Sequence, residues 1–301
     1  MSPTNHALGA KNVMNTDGFL QRLFNGYRAR KVREFYYEKF YSRPKPYTVH
    51  YNEITGPYRL VMRVADGPGM RQRLREGTEM PQRRVFLPLL APGFFCCDVG
   101  AHVGDYTVEM AMRVGPQGRV FAYEAVPYWF DMLQKSVEAN RLTNVVTQLA
   151  AVGARRGKVR IPSEMLTGNI AKPGKVQKSH SGTKAAMKMA EVPVVRLDDE
   201  LDHLDAIKVD CEGYEVEVLK GMEKLLSKNP KLVLFLEVHA RQLRDVGSSL
   251  SDLACLLLQT YRLKVHQISV KHCICSGVGL SLASFPEVIS IEKFVSNFRN
   301  T

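Results

Sequence analysis

The sequence lacks any long hydrophobic run, and this absence limits the classes of protein to consider. No stretch of its 301 residues reaches the roughly 18 uninterrupted apolar residues that a membrane-spanning helix needs. The first residues, MSPTNHALGAKNVMN, also lack the apolar core of a secretory signal. We therefore expect a cytoplasmic protein with no transmembrane segment.

Cysteine is scarce, and no two cysteines have the C-x-x-C spacing of a redox motif or a structural zinc site. Several cysteines fall in predicted core strands, where reduced thiols pack as small apolar groups. The six are Cys96, Cys97, Cys211, Cys255, Cys273 and Cys275. Buried, reduced thiols in a cytosolic protein are the simplest interpretation. No residue is assigned as a metal ligand, because no fixed ligand spacing demands one.

Acidic residues are outnumbered, since 30 Asp and Glu against 42 Lys and Arg give a formal net charge of +12. An excess of base favours anionic partners such as RNA, phosphorylated substrates or acidic lipid surfaces, without choosing among them. Residues 17–42 predict a basic helix with a wide apolar stripe, and residues 172–190 predict a loop with five lysines. Each segment is either a solvated surface or a docking site for RNA or an anionic surface.

The most informative stretch is a strand, a glycine turn, a helix and a second strand between residues 94 and 127. Residues 94–99 are almost entirely apolar, which is typical of a strand buried on both faces of a parallel sheet. Gly100 permits a sharp turn, and Gly104 is expected to let the start of the helix approach a ligand. The second strand ends at Glu124.

The acidic end of this second strand indicates the class of ligand. A carboxylate about 20 residues after a glycine turn can accept two hydrogen bonds from a ribose diol. The turn lacks the G-x-G-x-x-G spacing that binds a diphosphate, because Ala101 and His102 stand between its glycines. The arrangement favours S-adenosylmethionine, a nucleoside with a sulfonium and an amino-acid tail. The alternative is a structural glycine turn in some other α/β protein.

The rest of the chain alternates predicted strands and helices. Residues 47–64 predict a hairpin, and residues 70–90 predict one or two short helices. Later strands are predicted at 144–152, 159–161, 192–197, 206–209 and 232–236, with helices at 128–140, 215–222 and 247–260. Residues 264–270 and 287–294 are expected to complete the sheet. Ala151 and Val152, at the end of the third strand, are expected to form an apolar wall for adenine.

Candidate catalytic residues follow two further core strands. In a doubly wound sheet, ligands bind beyond the carboxyl ends of the strands. If a bound hydroxyl receives the methyl group of S-adenosylmethionine, Asp210 is predicted to accept its proton or to orient it, and Glu212 could share this role. Glu237 and His239 project to one side of an extended strand, where they could orient the acceptor or join Asp210 in a cation site. Capping roles for Asp210 and Glu212, and a structural role for His239, are the alternatives.

These features resemble the FkbM-type family of S-adenosylmethionine-dependent methyltransferases over roughly residues 75–240. The resemblance is carried by GTE at 77–79, DVGAHVG at 98–104, GPQGRVFAYEAVP at 115–127, NRLTNV at 140–145, TGN at 167–169, RLDDEL at 196–201, IKVDCEGYEVEVLKG at 207–221 and LEVH at 236–239. The run from 207 to 221 is the most specific, whereas many methyltransferases share the glycine turn.

The resemblance implies an α/β, Rossmann-like class I methyltransferase. Its sheet would have seven mostly parallel strands with helices on both faces, and methyl transfer would commonly be to a hydroxyl oxygen. The expected domains are an N-terminal helix and hairpin extension over residues 1–74 and a methyltransferase domain over residues 75–301.

The resemblance also implies residue roles. Asp98, Gly100 and Gly104 are assigned to the methionine end of the cofactor, and Glu124 is assigned to the ribose. His102 stands where the family often has asparagine, and it is included in the methionine pocket.

Three functions remain open from the sequence. The leading one is an O-methyltransferase that acts on a small molecule or glycan. The second is an RNA 2′-O-methyltransferase, suggested by the net charge and by Lys208 on the same strand face as Asp210. The third is a non-catalytic binding module that keeps the fold, although the retained Glu124 argues against it.

Overall fold

The computed structural model describes residues 45–49, 56–62, 80–163, 188–277 and 289–301, with only the backbone described for 45–49 and 80. The predicted basic helix lies outside these residues, and so does the predicted lysine loop except for its last three residues.

Strands and helices alternate over residues 95–149, and other parts of the chain have consecutive strands or consecutive helices. The first half contains β1 (Lys45–Val49), β2 (Tyr58–Met62), α1 (Met80–Phe86), β3 (Phe95–Val99), α2 (Asp105–Val114), β4 (Arg119–Glu124), α3 (Pro127–Ala139), β5 (Val145–Leu149), β6 (Ala151–Val152) and β7 (Gly157–Pro162). The second half contains β8 (Met189–Val195), α4 (Leu197–Glu200), β9 (Ala206–Val209), α5 (Glu215–Lys220), α6 (Glu223–Lys228), β10 (Val233–Glu237), α7 (Ala240–Asp245), α8 (Leu250–Ala254), β11 (Lys264–Gln267), β12 (His272–Ser276) and α9 (Ile291–Phe298). None of the helices in the described part of the chain has the length and apolar character needed to cross a membrane.

The central sheet has seven strands in the order β11-β12-β10-β9-β3-β4-β5. The five strands from β10 to β5 run parallel, whereas β12 is antiparallel to both β10 and β11. This confirms the mostly parallel, seven-stranded sheet expected from the sequence. Because β3 lies between β9 and β4, three strands that precede predicted site residues end at the same edge of the sheet.

The middle strands of the central sheet are buried on both faces. Cys97 and Leu234 share an apolar cluster with α5, α8 and α9, whereas Cys96 and Phe235 share another with α1 and α2. Strands covered on both faces carry mostly apolar residues, so they lack the alternation of a half-exposed strand, although Asp98 of β3 and Lys208 of β9 are buried charged exceptions. This explains why the apolar runs of the sequence predict the core strands, and the strand at 206–209 is confirmed with the same bounds.

The predicted N-terminal hairpin is confirmed, because β1 and β2 pair antiparallel. β2 also contacts α3. The N–H of Val61 donates to the hydroxyl of Ser136 at 2.9 Å, and the side chain of Asn140 bonds to both the N–H and the carbonyl of Arg59 at 2.8 and 2.6 Å. The hairpin therefore packs directly on a helix of the central sheet. The domain boundary expected after it lies outside the described residues, so that division of the chain stays a prediction.

A second sheet has three strands in the order β6-β8-β7. The prediction of one continuous strand over residues 144–152 is therefore wrong in its last part. β5 ends at Leu149, and Ala151 and Val152 pair with β8 rather than with the central sheet. β8 begins at Met189, so the end of the predicted lysine loop is a strand.

The C-terminal segment is a helix, not the expected strand over residues 287–294. The hydroxyl of Ser290 accepts the N–H of Lys293, which caps the start of α9. Phe294 and Phe298 lie one turn apart with ring centroids separated by 4.7 Å, and both are fully buried. A short apolar run does not distinguish a buried strand from a buried helix, and here tertiary packing selects the helix.

Candidate active site

The candidate site lies where β3, β4 and β9 end. Glu124, at the end of β4, is buried, and its two carboxylate oxygens accept the N–H groups of His102 and Val126, each at 2.8 Å. Burial raises the pKa of Glu124, although these two backbone hydrogen bonds oppose the shift. Each carboxylate oxygen keeps a second acceptor position after these bonds. The acid predicted to hold a ribose thus also fixes the glycine turn.

Packing within the chain accounts for both glycines of the turn after β3. Gly100 has a φ of 79°, and a Cβ at this position would lie 1.8 Å from the backbone oxygen of Asp210. Gly104 has a φ of 89°, and its Cβ would lie 2.7 Å from Leu133 of α3. In the structure this glycine allows α2 to pack closely against α3. The expected role of Gly104 in making room for a ligand stays a prediction.

His102 adopts a left-handed conformation with a φ of 52°, which is uncommon for a residue with a side chain. Its ring centroid lies 4.1 Å from that of Trp129 on α3, while its N–H bonds to Glu124. Its described contacts therefore connect the turn, the predicted ribose acid and α3. The predicted role of its side chain in the methionine pocket stays a prediction.

A buried lysine joins the ends of β3 and β9. The amine of Lys208 lies 3.4 Å from a carboxylate oxygen of Asp98 and 3.5 Å from one of Asp210. The other oxygen of Asp98 accepts the hydroxyl of Thr107 at 2.6 Å, and the Asp98 side chain is fully buried. Lys208 therefore links an acid predicted to bind the cofactor with the acid predicted to act in catalysis. Sequence reasoning noted Lys208 only for the RNA alternative.

Asp210 is the more exposed of the two acids that contact Lys208. Its side chain is 28% accessible, whereas that of Asp98 is fully buried. Burial raises the pKa of Asp210, while the charges of Lys208 and His239 oppose the shift. A carboxylate that is partly accessible and has a raised pKa is suited to exchanging a proton with a bound hydroxyl.

His239 lies in a cluster of carboxylates. Its Nε2 atom is 3.2 Å from Glu237 and 3.9 Å from Glu212, and its Nδ1 atom is 3.4 Å from Glu215. Burial lowers the pKa of His239. Hydrogen bonds to Glu215 and Glu237 and the charge of Asp210 more than offset this effect and raise the pKa to about 11. Glu212, Glu237 and His239 therefore lie close together beside Asp210, as the sequence predicted.

Two members of this cluster were missed in the sequence analysis. Glu215 is fully buried at the start of α5. It lies in the motif IKVDCEGYEVEVLKG at 207–221, so the sequence did contain a signal for it. His272 lies 3.3 Å from Glu237 because β12 pairs with β10 at that position. No local pattern in the sequence indicates this second contact, since it depends on the register of two strands.

Ala151 and Val152 fit the predicted adenine wall only in part. The N–H of the preceding Ala150 donates to the backbone oxygen of Glu124 at 3.1 Å, so the segment does start beside the predicted ribose acid. Val152, however, is buried in the core cluster that also contains Leu197. Of the two predicted wall residues, Ala151 alone retains partial exposure.

The mostly parallel seven-stranded sheet with helices is an α/β, Rossmann-like fold of the class I methyltransferase type. The methyltransferase FkbM domain matches residues 98–263, which is more than half of the chain, and the chain belongs to this family. The family expected from the sequence motifs is therefore confirmed.

Two curated relatives also carry methyltransferase names. Methyltransferase 1 of Beauveria bassiana (strain ARSEF 2860) is 25% identical over 146 residues, which covers 43% of this chain and 58% of that protein. Methyltransferase sdnD of Sordaria araneosa is 25% identical over 158 residues, which covers 43% of this chain and 61% of that protein. The chain thus spans about three fifths of the length of the curated relatives it matches.

Solved structures resemble the chain more distantly. A SAM-dependent O-methyltransferase from Thermotoga maritima aligns with a TM-score of 0.40 at 12% identity, covering 75% of each chain. A putative rRNA-methylase from Clostridium thermocellum aligns with a TM-score of 0.42 at 12% identity, covering 66% of this chain and 95% of that one.

Proposed function

We propose that this methyltransferase transfers the methyl group of S-adenosylmethionine to a hydroxyl oxygen of a small molecule or glycan. The observation that carries the proposal is the position of Glu124 and Asp210 on either side of one glycine turn. Their strands, β4 and β9, both pair parallel with β3, so the two acids lie at the same edge of the sheet. A nucleoside held by Glu124 and an acceptor beside Asp210 would share one crevice.

The residues present fit this cofactor. The free acceptor positions of Glu124 match the two hydroxyl donors of a ribose. The N–H of Val126 and that of His102 hold the carboxylate in place before any ligand binds, which reduces the cost of ordering it. When bound, S-adenosylmethionine supplies an electrophilic methyl group on its sulfonium.

Asp210 and Lys208 account for the proposed proton transfer. A hydroxyl oxygen becomes a better nucleophile as its proton leaves, and Asp210 has an accessible carboxylate to accept that proton. Lys208 orients Asp210 and balances part of the negative charge shared with Asp98. Orientation of the acceptor oxygen toward the sulfonium would supply much of the remaining rate enhancement.

We expect Glu124→Ala to weaken the binding of S-adenosylmethionine by about 10- to 100-fold, because a hydrogen bond to a charged group contributes about 1.5–3 kcal/mol. Isothermal titration of the purified protein measures this change. Glu138→Ala, on the exposed face of α3, is the matched control and should bind as the wild type does. Equal affinity in Glu124→Ala and the wild type would contradict the assignment of Glu124 to the ribose.

An RNA 2′-hydroxyl is the second candidate acceptor, because Lys208 lies 3.5 Å from Asp210 and the net charge is +12. Cellular extracts incubated with the protein and with isotopically methyl-labelled S-adenosylmethionine separate the two candidates by mass spectrometry. Label in a small molecule or glycan would support the leading proposal. Label in RNA, together with RNA binding that falls steeply with salt, would replace it with the second.

A further inference from the structure

Three possible metal ligands converge beside the proposed acceptor position. One donor atom from each of Asp210, Glu212 and His239 lies within 4.8 Å of the other two. Ligand distances of about 2.1 Å place the donors of a bound metal roughly 3–4 Å apart, so small side-chain rotations would close the site. Such rotations are available, because 28% of the Asp210 side chain and 36% of the Glu212 side chain are exposed.

The orientation of His239 is a second, independent feature. Its Nδ1 atom faces Glu215, a fully buried carboxylate whose same oxygen accepts the N–H of Gly213 at 2.9 Å. Nε2 is thereby directed toward Glu212 and Glu237. A histidine that binds a metal through one nitrogen is commonly held by a carboxylate on the other, and this contact fixes the ring.

The local charge also favours a cation. Four carboxylates surround the imidazole, those of Asp210, Glu212, Glu215 and Glu237. His239 and His272 pair with carboxylates of this group, Lys208 pairs with Asp210, and the amide of Gln242 donates to Glu212. A divalent ion bound at Nε2 of His239 would take the place of the proton there and bring a larger positive charge to the same carboxylates.

We propose that Asp210, Glu212 and His239 form a binding site for a divalent first-row transition metal, and that Mn²⁺ matches the donors best. Carboxylate oxygens suit Mg²⁺, Ca²⁺ and Mn²⁺, whereas imidazole suits Fe²⁺, Ni²⁺, Cu²⁺ and Zn²⁺. Two of the three donors are carboxylates, and this majority is the reason for choosing Mn²⁺ among the transition metals. Three protein ligands leave coordination positions open for an acceptor oxygen. That use of the open positions rests on the proposed function, whereas metal binding itself does not.

A titration of the metal-stripped full chain with Mn²⁺ tests the site directly. Binding is measured as the loss of the free-ion signal in electron paramagnetic resonance. We expect one Mn²⁺ per chain with a Kd on the order of 100 µM or tighter. Glu212→Gln should weaken binding at least about tenfold, and Glu215→Gln should do the same by releasing His239. Glu217→Gln is the matched control on α5, because its carboxylate pairs with Lys220 instead, and it should bind as the wild type does.

Two results would overturn the proposal. One is a wild-type chain that binds no Mn²⁺ at these concentrations, which would mean that the cluster holds His239 only as an ion-pair partner. The other is a folded Glu212→Gln variant that binds Mn²⁺ as tightly as the wild type, which would place the ion elsewhere. The assay contains neither cofactor nor acceptor, so failure here leaves the titration of Glu124→Ala and the methyl-transfer proposal unaffected.

Discussion

Replacement of Asp210 by asparagine is expected to lower the rate of methyl transfer by about 10²- to 10⁴-fold, the usual contribution of a positioned acid or base. Asparagine keeps the shape of the side chain but cannot accept the proton of the acceptor. The affinity for S-adenosylmethionine should stay close to that of the wild type, because Glu124 lies on the other side of the glycine turn, at the end of β4. The effect should therefore fall on turnover alone.

The measurement is the initial rate of label transfer to the molecule that the wild type labels in extracts, with cofactor affinity measured in parallel by titration. Asp131→Asn is the matched control, since Asp131 is an exposed acid that pairs with Lys135 on α3. Wild-type turnover in Asp210→Asn would show that another group handles the proton. A loss of cofactor affinity equal to the loss of turnover would show that Asp210 acts in binding instead.

Replacement of Arg83 by methionine is expected to lower the free energy of unfolding by about 3–5 kcal/mol. The Arg83 side chain is almost fully buried, pairs with Asp105 and Glu109 of α2, and stacks over the ring of Tyr106 at 3.9 Å. Tyr58 of the hairpin donates to the same Glu109 at 2.8 Å. Removing the guanidinium leaves the fully buried carboxylate of Glu109 without its main positive partner. This costs more stability than removing both members of the ion pair.

Denaturant titration at constant pH measures this loss. Arg84→Met changes the neighbouring exposed residue of α1 and should alter stability by no more than about 0.5 kcal/mol. The double variant Arg83→Met with Glu109→Gln should recover part of the loss, because it no longer buries an unpaired charge. If the loss in Arg83→Met is as small as that in Arg84→Met, the buried ion pairs do not hold α1 to α2 as inferred.

Much of the fold could be predicted because its signals are local. The strand that precedes Gly100 and the strand over residues 206–209 are short apolar runs that end at a glycine turn or an acid. A run of this kind is needed wherever both faces of a strand are covered. The predicted ribose acid, Glu124, follows from its spacing after the glycine turn. The predicted ends of two further core strands then placed Asp210, Glu212, Glu237 and His239 at the same edge of the sheet.

The errors share one cause, which is that local patterns do not show what an element packs against. The segment at 287–294 is apolar enough for a strand, but Phe294 and Phe298 bury one face of a helix. Ala151 and Val152 have the composition of a core strand, yet they pair with β8 in a different sheet. In the first place the packing partner decides the secondary structure, and in the second it decides which sheet the strand joins.

The sequence by itself determined the class of fold, the glycine turn and the acids that end the parallel strands, since each depends on residues near one another in the chain. Tertiary structure alone decided that Lys208 lies between Asp98 and Asp210. It also decided that Glu215 holds the imidazole of His239, and that β12 brings a second histidine to Glu237. These contacts join different strands and helices, and their geometry is set by strand register and helix packing, which the spacing of residues along the chain does not encode.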